Sequence, residues 1–219
     1  KVVKMNENSF QTQYDVTKKS KLKKFYEAYK VLIFLIVSVL IIAIASISFY
    51  PEIKERKKIL LADSYVEAKI HLANGNSSEA KNILNTIIFA NDNTYSTLSL
   101  FLILNEKLIL DEKELSNLFD QVLENNKFEK EISNLIIFKK ALFESDFTSE
   151  LELLETLKPL INEETLLKPH ALLLLGDYFI FKKEYLKAKE FYLQVLSLKN
   201  LPKEIYEQAR TQLVLITND

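Results

Sequence analysis

Apolar residues follow two different patterns along this chain, and one gives way to the other near Pro51. From Val31 to Phe49 no residue is charged, and fourteen of the nineteen are Val, Leu, Ile or Phe. At about 1.5 Å of rise per residue, a helix over residues 31–50 matches a hydrocarbon core of roughly 30 Å. The fourteen favour insertion by on the order of 4–8 kcal/mol, which the three interspersed serines do not offset. A transmembrane helix is expected there.

Beyond Pro51 the pattern takes a helical period. Leu61, Tyr65, Ala68 and Leu72 fall on one helix face. Asn74-Gly75-Asn76 interrupts it, with Gly75 as a left-handed helix end. Asn76 and Glu79 have the spacing of a capping box, and Ala80, Ile83, Leu84, Ile87 and Ile88 form a second apolar face. Tyr95 to Leu110 is apolar on nearly all sides and predicts a buried helix. Asp111 and Glu114 open a partner carrying Leu115, Leu118, Phe119, Val122 and Leu123. Phe128 to Phe143 predicts a further helix with Ile132, Leu135, Ile136 and Leu142 inward. Ser149 and Glu152 open its partner, which carries Leu153, Leu154, Leu157 and Leu160. Helices near 163–181, 184–198 and 203–217 complete the set. No stretch alternates with period two long enough for a strand, so the chain is expected to be all-α.

First helices starting near 61, 94, 128, 168 and 203 recur about every 34 residues, the signature of tetratricopeptide-like arrays. The clearest unit is PHALLLLGDYFIFKKEYLKAKEFYLQVLSLKNLP. In it Leu172 and Leu175 take the early apolar positions, Gly176 the small position, Phe179 an aromatic one, Ala188 the small residue of the second helix and Tyr192 the second aromatic. A glycine inside a helix costs about 1 kcal/mol against alanine, so Gly176 implies a close helix crossing. Leu172 departs from the usual Trp, and Pro202 comes two residues late. The unit at 61–92 keeps Ala80 and Leu84 but has Glu67-Ala68 in place of Leu-Gly. The expected fold is one N-terminal transmembrane helix followed by a right-handed tetratricopeptide-like α-solenoid of about four helical hairpins plus a capping helix, over 51–219.

Charge orients the span. Residues 1–30 carry eight Lys against Glu7, Asp15 and Glu27, while the whole chain is at −1. Six of those lysines, Lys18, Lys19, Lys21, Lys23, Lys24 and Lys30, lie beside the apolar run. Lysine on the leading flank is a topogenic signal, so 1–30 is expected to be cytoplasmic and the body translocated. The trailing flank has Lys54, Arg56, Lys57 and Lys58, a smaller number. A cleaved signal peptide is the competing reading, because Ala43-Ile44-Ala45 has the small-x-small pattern. The run continuing to Phe49 favours an uncleaved anchor. Residues 1–17 lack periodicity and read as a disordered tail, with Met5 a candidate start.

The layout resembles a particular family. KKFYEAYK leading into the span, SYVEAKIHLANGNSSEAKNIL, NDNTYSTLSLFLILNEKLI and LLLLGDYFIFKKEYLKAKEFY are similar to segments of the YfgM-like ancillary subunits of the bacterial Sec translocon. That resemblance implies an inner-membrane protein with a periplasmic body. It also implies two partners, the Sec translocon and a membrane-anchored prolyl-isomerase chaperone, with exported polypeptides near at hand.

Chemistry is sparse. The chain has two histidines, two glycines, four prolines and no cysteine. Thiolate metal sites, disulfides and glycine-rich phosphate loops are thereby excluded. His71 is expected in the core, and His170 follows Pro169 near a helix start. Glu163-Glu164 and Asp111-Glu112 read as helix-start acids. No catalytic residue, cofactor or metal is expected, and the mildly acidic body argues against nucleic acid. Function is expected on a surface, with Tyr65, Tyr95, Phe101, Tyr178 and Tyr185 as aromatic candidates whose simplest role is packing. Two further readings stay open. One is an envelope-assembly or cell-division scaffold. The other is a cytosol-facing receptor with a lysine clamp from Lys182, Lys183, Lys187 and Lys189.

Overall fold

The computed structural model describes residues 21–217, and their side chains except at 21, 22, 24 and 45–51. The expected tail, Met5, Lys18 and Lys19 lie outside the described residues, as do the side chains of Lys21, Lys24 and Ala45. Among the described residues there are nine α-helices and no strand. The chain divides into two compact units, Lys1–Arg56 and Lys57–Asp219, and α1 (Lys21–Ala73) contributes to both.

In the first unit, Phe25–Ile44 is long and apolar enough to cross a membrane, and none of its described side chains is buried. The Ser38 hydroxyl donates to the Phe34 carbonyl at 2.8 Å. A serine satisfied by its own helix needs no water, which suits an apolar surrounding.

The second unit continues with α2 (Ser77–Phe89), α3 (Tyr95–Asn105), α4 (Glu112–Asn125), α5 (Lys130–Glu144), α6 (Glu150–Ile161), α7 (Lys168–Phe181), α8 (Tyr185–Ser197) and α9 (Lys203–Thr217). From α2 onward each helix packs on the next, and α2 also meets α4 and α7 meets α9. Two apolar cores result. The first joins Ala68 of α1 to Leu84, Leu100, Phe119 and Ile136. The second runs from Ala141 through Leu157, Leu175 and Tyr192 to Ala209. Both draw on α5, which carries Ile136 in one and Ala141 in the other.

Local chemistry explains the helix ends. Gly75 has φ +78°, Asn76 N–H donates to the His71 carbonyl at 2.8 Å and Gly75 N–H to that of Leu72 at 3.0 Å. This is a Schellman end. Ser149 and Glu152 form the complete capping box of α6, each side chain taking the other's backbone N–H. Asp111 caps α4 by accepting from Glu114 N–H at 2.6 Å.

Five expectations need correction. No helix begins near 61, because α1 is already helical there; the change after Pro51 is in which faces are apolar. The helix expected to reach Leu110 ends at Asn105, where Lys107 (φ 50°) makes a second Schellman turn through Leu108 N–H to the Ile103 carbonyl. Asn76 makes no side-chain cap for α2; its backbone is not extended, as a capping residue's usually is. On α5, Ile136 is buried but Ile132, Leu135 and Leu142 are exposed. The inward positions instead include Asn134, Ala141 and Glu144. Finally, α7 starts at Lys168 with Pro169 in its first turn, where a missing N–H costs nothing, so Glu163-Glu164 lie in the preceding connection.

Candidate interaction surfaces

The tightest assembly in the second unit is the α7–α8 hairpin. A Cβ on Gly176 would lie 2.5 Å from Cε1 of Tyr192 and 2.8 Å from two more ring atoms. Glycine is required there so that the ring can lie directly on the α7 backbone. Tyr192 is fully buried, as are Leu175 and Ala188, while Leu172 and Phe179 are nearly so. Ala80 and Leu84 occupy the same kind of environment on α2. The Tyr192 hydroxyl donates to Asp177 Oδ1 at 2.6 Å. Burial, then this carboxylate, push the phenol above its ordinary value. Burial also raises the Asp177 carboxyl, against the opposing pull of the Tyr192 hydrogen bond.

This hairpin is tied to the one before it. Tyr178 donates from its hydroxyl to the Thr148 carbonyl at 3.2 Å. Lys187 Nζ donates to both Glu150 oxygens at 2.9 and 2.7 Å, pairs with Glu184 at 2.8 Å and lies over the Phe179 ring. Those carboxylate hydrogen bonds raise the Lys187 pKa. Lys182 lies 5.1 Å from the centre of the Tyr178 ring, and Lys183 holds the left-handed turn at φ 61°. The four lysines that suggested a clamp thus differ in environment, and Lys187 is engaged by two acids of its own chain.

A second polar feature lies where the two cores meet, with no counterpart in the apolar pattern of the chain. Glu144, only 7% exposed, accepts from the Ser116 hydroxyl of α4 and from Thr156 of α6 at 3.3 Å. Lys140 stands 3.6 Å from Glu144 and 2.5 Å from Asp120 of α4. Three helices are joined through one carboxylate. Elsewhere, a cleft of about 550 Å³ separates the start of α5 from the α6–α7 connection, lined in part by Asn134, Leu135 and Leu166. Lys130 and Glu163 pair beside it at 2.5 Å, which raises the lysine pKa.

The remaining candidates are dispersed. Tyr65 and Tyr95 are half-buried with ring centres 6.2 Å apart, and burial raises the Tyr65 pKa. Phe101 is half-buried and Tyr178 buried, whereas Tyr185 is exposed. His71 is half-buried rather than fully in the core, and His170 packs edge-on to Phe138. The described Lys23 and Lys30 side chains are exposed. Among the described residues no three His, Asp or Glu side chains are grouped to hold a metal ion. Exposed Phe181, Leu186 and Leu151 stand out only in the structure, since an apolar residue's helical period does not say whether its face is covered.

These features define a class: an all-α protein with one N-terminal helix long and apolar enough to cross a membrane, followed by successively packed helices. No protein-family model, curated protein or solved structure matches the chain.

Proposed function

We propose that the chain is a membrane-tethered, non-enzymatic interaction module. Residues 31–50 act as an uncleaved signal anchor in a bacterial inner membrane, with the basic leading segment in the cytoplasm. A tetratricopeptide-like array of about four hairpins and a capping helix then lies in the periplasm. The observation that carries this reading is the helix-after-helix packing from α2 to α9, with Gly176 seated against the Tyr192 ring. Stacked hairpins present long surfaces to peptides and partner helices. The likeness to YfgM-like subunits supplies the partners: the Sec translocon and a membrane-anchored prolyl-isomerase chaperone. The module holds the chaperone close to emerging polypeptides.

Two measurements test the proposal. A reporter fused after Asp219 is expected to be active only outside the cytoplasm; activity confined to the cytoplasm overturns the topology. Crosslinking followed by mild detergent extraction is expected to recover Sec and chaperone subunits, and a complex lacking both overturns the assignment of partners. The engagement of Lys187 by Glu150 and Glu184 weighs against a cytosolic lysine clamp, because that cation is not free to receive a client carboxylate.

A further inference from the structure

Within the second unit, α1 is apolar on two opposite sides. Its inner side, with Leu61, Tyr65, Ala68 and Leu72, belongs to the first core or packs against it, apart from half-buried Leu72. Its outer side bears Ile59, Val66 and Ile70, each more than half exposed. With Asp63 and Ala73 these residues alternate in steps of four and three, the spacing by which one helix packs along another. A helix that is apolar on two sides is normally covered on both. Here one side lies open at the first helix of the packed unit, where a repeat array normally presents a polar capping face.

Asp63 says what covers it. This carboxylate stands in the middle of the stripe, exposed and without an ion pair among the described residues. A parallel second copy would set Asp63 against its own counterpart, and like charges at such a position repel. An antiparallel copy centred on Val66 would set it against Ile70, with that copy's Lys69 off the stripe, stripping a carboxylate of water with no cation facing it. A helix with a cation at that level satisfies both the stripe and the charge.

We infer that the outer face of α1 from Ile59 to Ala73 is the docking stripe for one helix of a different protein, apolar along its contact face and carrying a Lys or Arg that meets Asp63. The inference rests on the reading of the chain as an interaction module and names the chemistry of one partner.

The test uses the full-length chain in its own membrane, with a photoreactive residue at Val66 or Ile70. The expected result is one adduct, mapped by peptide mass to an apolar helical segment with a basic residue within a turn of the attachment point. Asp63→Lys should lower its yield about tenfold or more, since the swap leaves two cations facing each other. Asp63→Glu should preserve the yield, and replacing the mapped basic residue by Glu should restore it in the Asp63→Lys background. Asp63→Ser, which removes the charge without reversing it, should give an intermediate loss. An adduct with the mass of two copies, an adduct to lipid alone, a yield indifferent to Asp63→Lys, or no adduct overturns the inference. A second probe at Leu186, on the α7–α8 hairpin, separates the two levels. Partner capture there with none at α1 overturns only the stripe, and silence at both overturns the interaction module as well.

Discussion

Replacing Gly176 by alanine sets two effects against each other. On an isolated helix the change is favourable by about 1 kcal/mol. In this hairpin the new methyl would meet the Tyr192 ring at 2.5 Å and 2.8 Å, well inside van der Waals contact. The ring is fully buried, so it cannot swing aside into solvent. Overpacking of this kind costs about 1–3 kcal/mol. A shift of the ring also strains the 2.6 Å bond from its hydroxyl to Asp177, and a hydrogen bond to a charged group is worth about 1.5–3 kcal/mol. The net expectation is a loss of about 2–3 kcal/mol, which for a unit of this size lowers the midpoint by about 4–12 °C. Thermal unfolding of the detergent-solubilised chain, followed by circular dichroism at 222 nm, reads this directly. Gly176→Ala combined with Tyr192→Leu should lose less than the sum of the two single changes, because the second removes the atoms that the first strikes. A neutral or stabilising Gly176→Ala, or strict additivity, would refute the close-crossing argument.

Other consequences follow from the same geometry. Ser149→Ala removes half of the α6 capping box and is expected to cost about 1 kcal/mol at pH 7 by chemical denaturation. The Ser149 hydrogen bonds hold the Glu152 carboxyl below its usual range, so this stabilisation is complete above the ordinary glutamate pKa and disappears as pH falls through the depressed one. The Ser149→Ala difference should therefore shrink in acid, and a difference independent of pH would contradict it. Tyr192 behaves in the opposite sense: its phenol is raised in the fold, so stability is full below about pH 10 and declines as pH rises beyond. Tyr192→Phe should flatten that alkaline decline, although it lowers stability at neutral pH. Glu144→Leu leaves Lys140 with Asp120 alone and two hydroxyls without their acceptor. A loss of about 2–4 kcal/mol is expected in the same denaturation assay, smaller when Lys140→Met is made as well.

How far the sequence carries depends on what each residue does. Gly75 could be read because only a left-handed helix end rewards glycine between two asparagines, and Ser149 with Glu152 because a capping box is a fixed spacing of two residue types. The residues picked out in the α7–α8 unit are buried together because small and aromatic positions there obey one steric rule. Lys107 and Lys183 carry no such sign. Lysine has no intrinsic preference for a positive φ, and it adopts one only because the following helix must turn back. The inward face of α5 departs from the periodic expectation for a related reason. Its apolar residues extend round more than one side, and the side taken by the cores includes Glu144, whose burial depends on Ser116 and Thr156 from two other helices. Partnership across twelve and twenty-eight residues leaves no periodic trace.

The neighbour-to-neighbour packing of α2 through α9 also bears on how the chain reaches this state. Contacts close in sequence need little loop closure, so such a topology condenses quickly and in small steps. From α3 onward each helix finds its first partner in the helix made just before it. A chain delivered N-terminus first, from a ribosome or through a pore, can then assemble in the order of its delivery without waiting for its end. The α2–α4 and α7–α9 contacts reach past the nearest neighbour. There vectorial assembly must wait for a second helix to emerge.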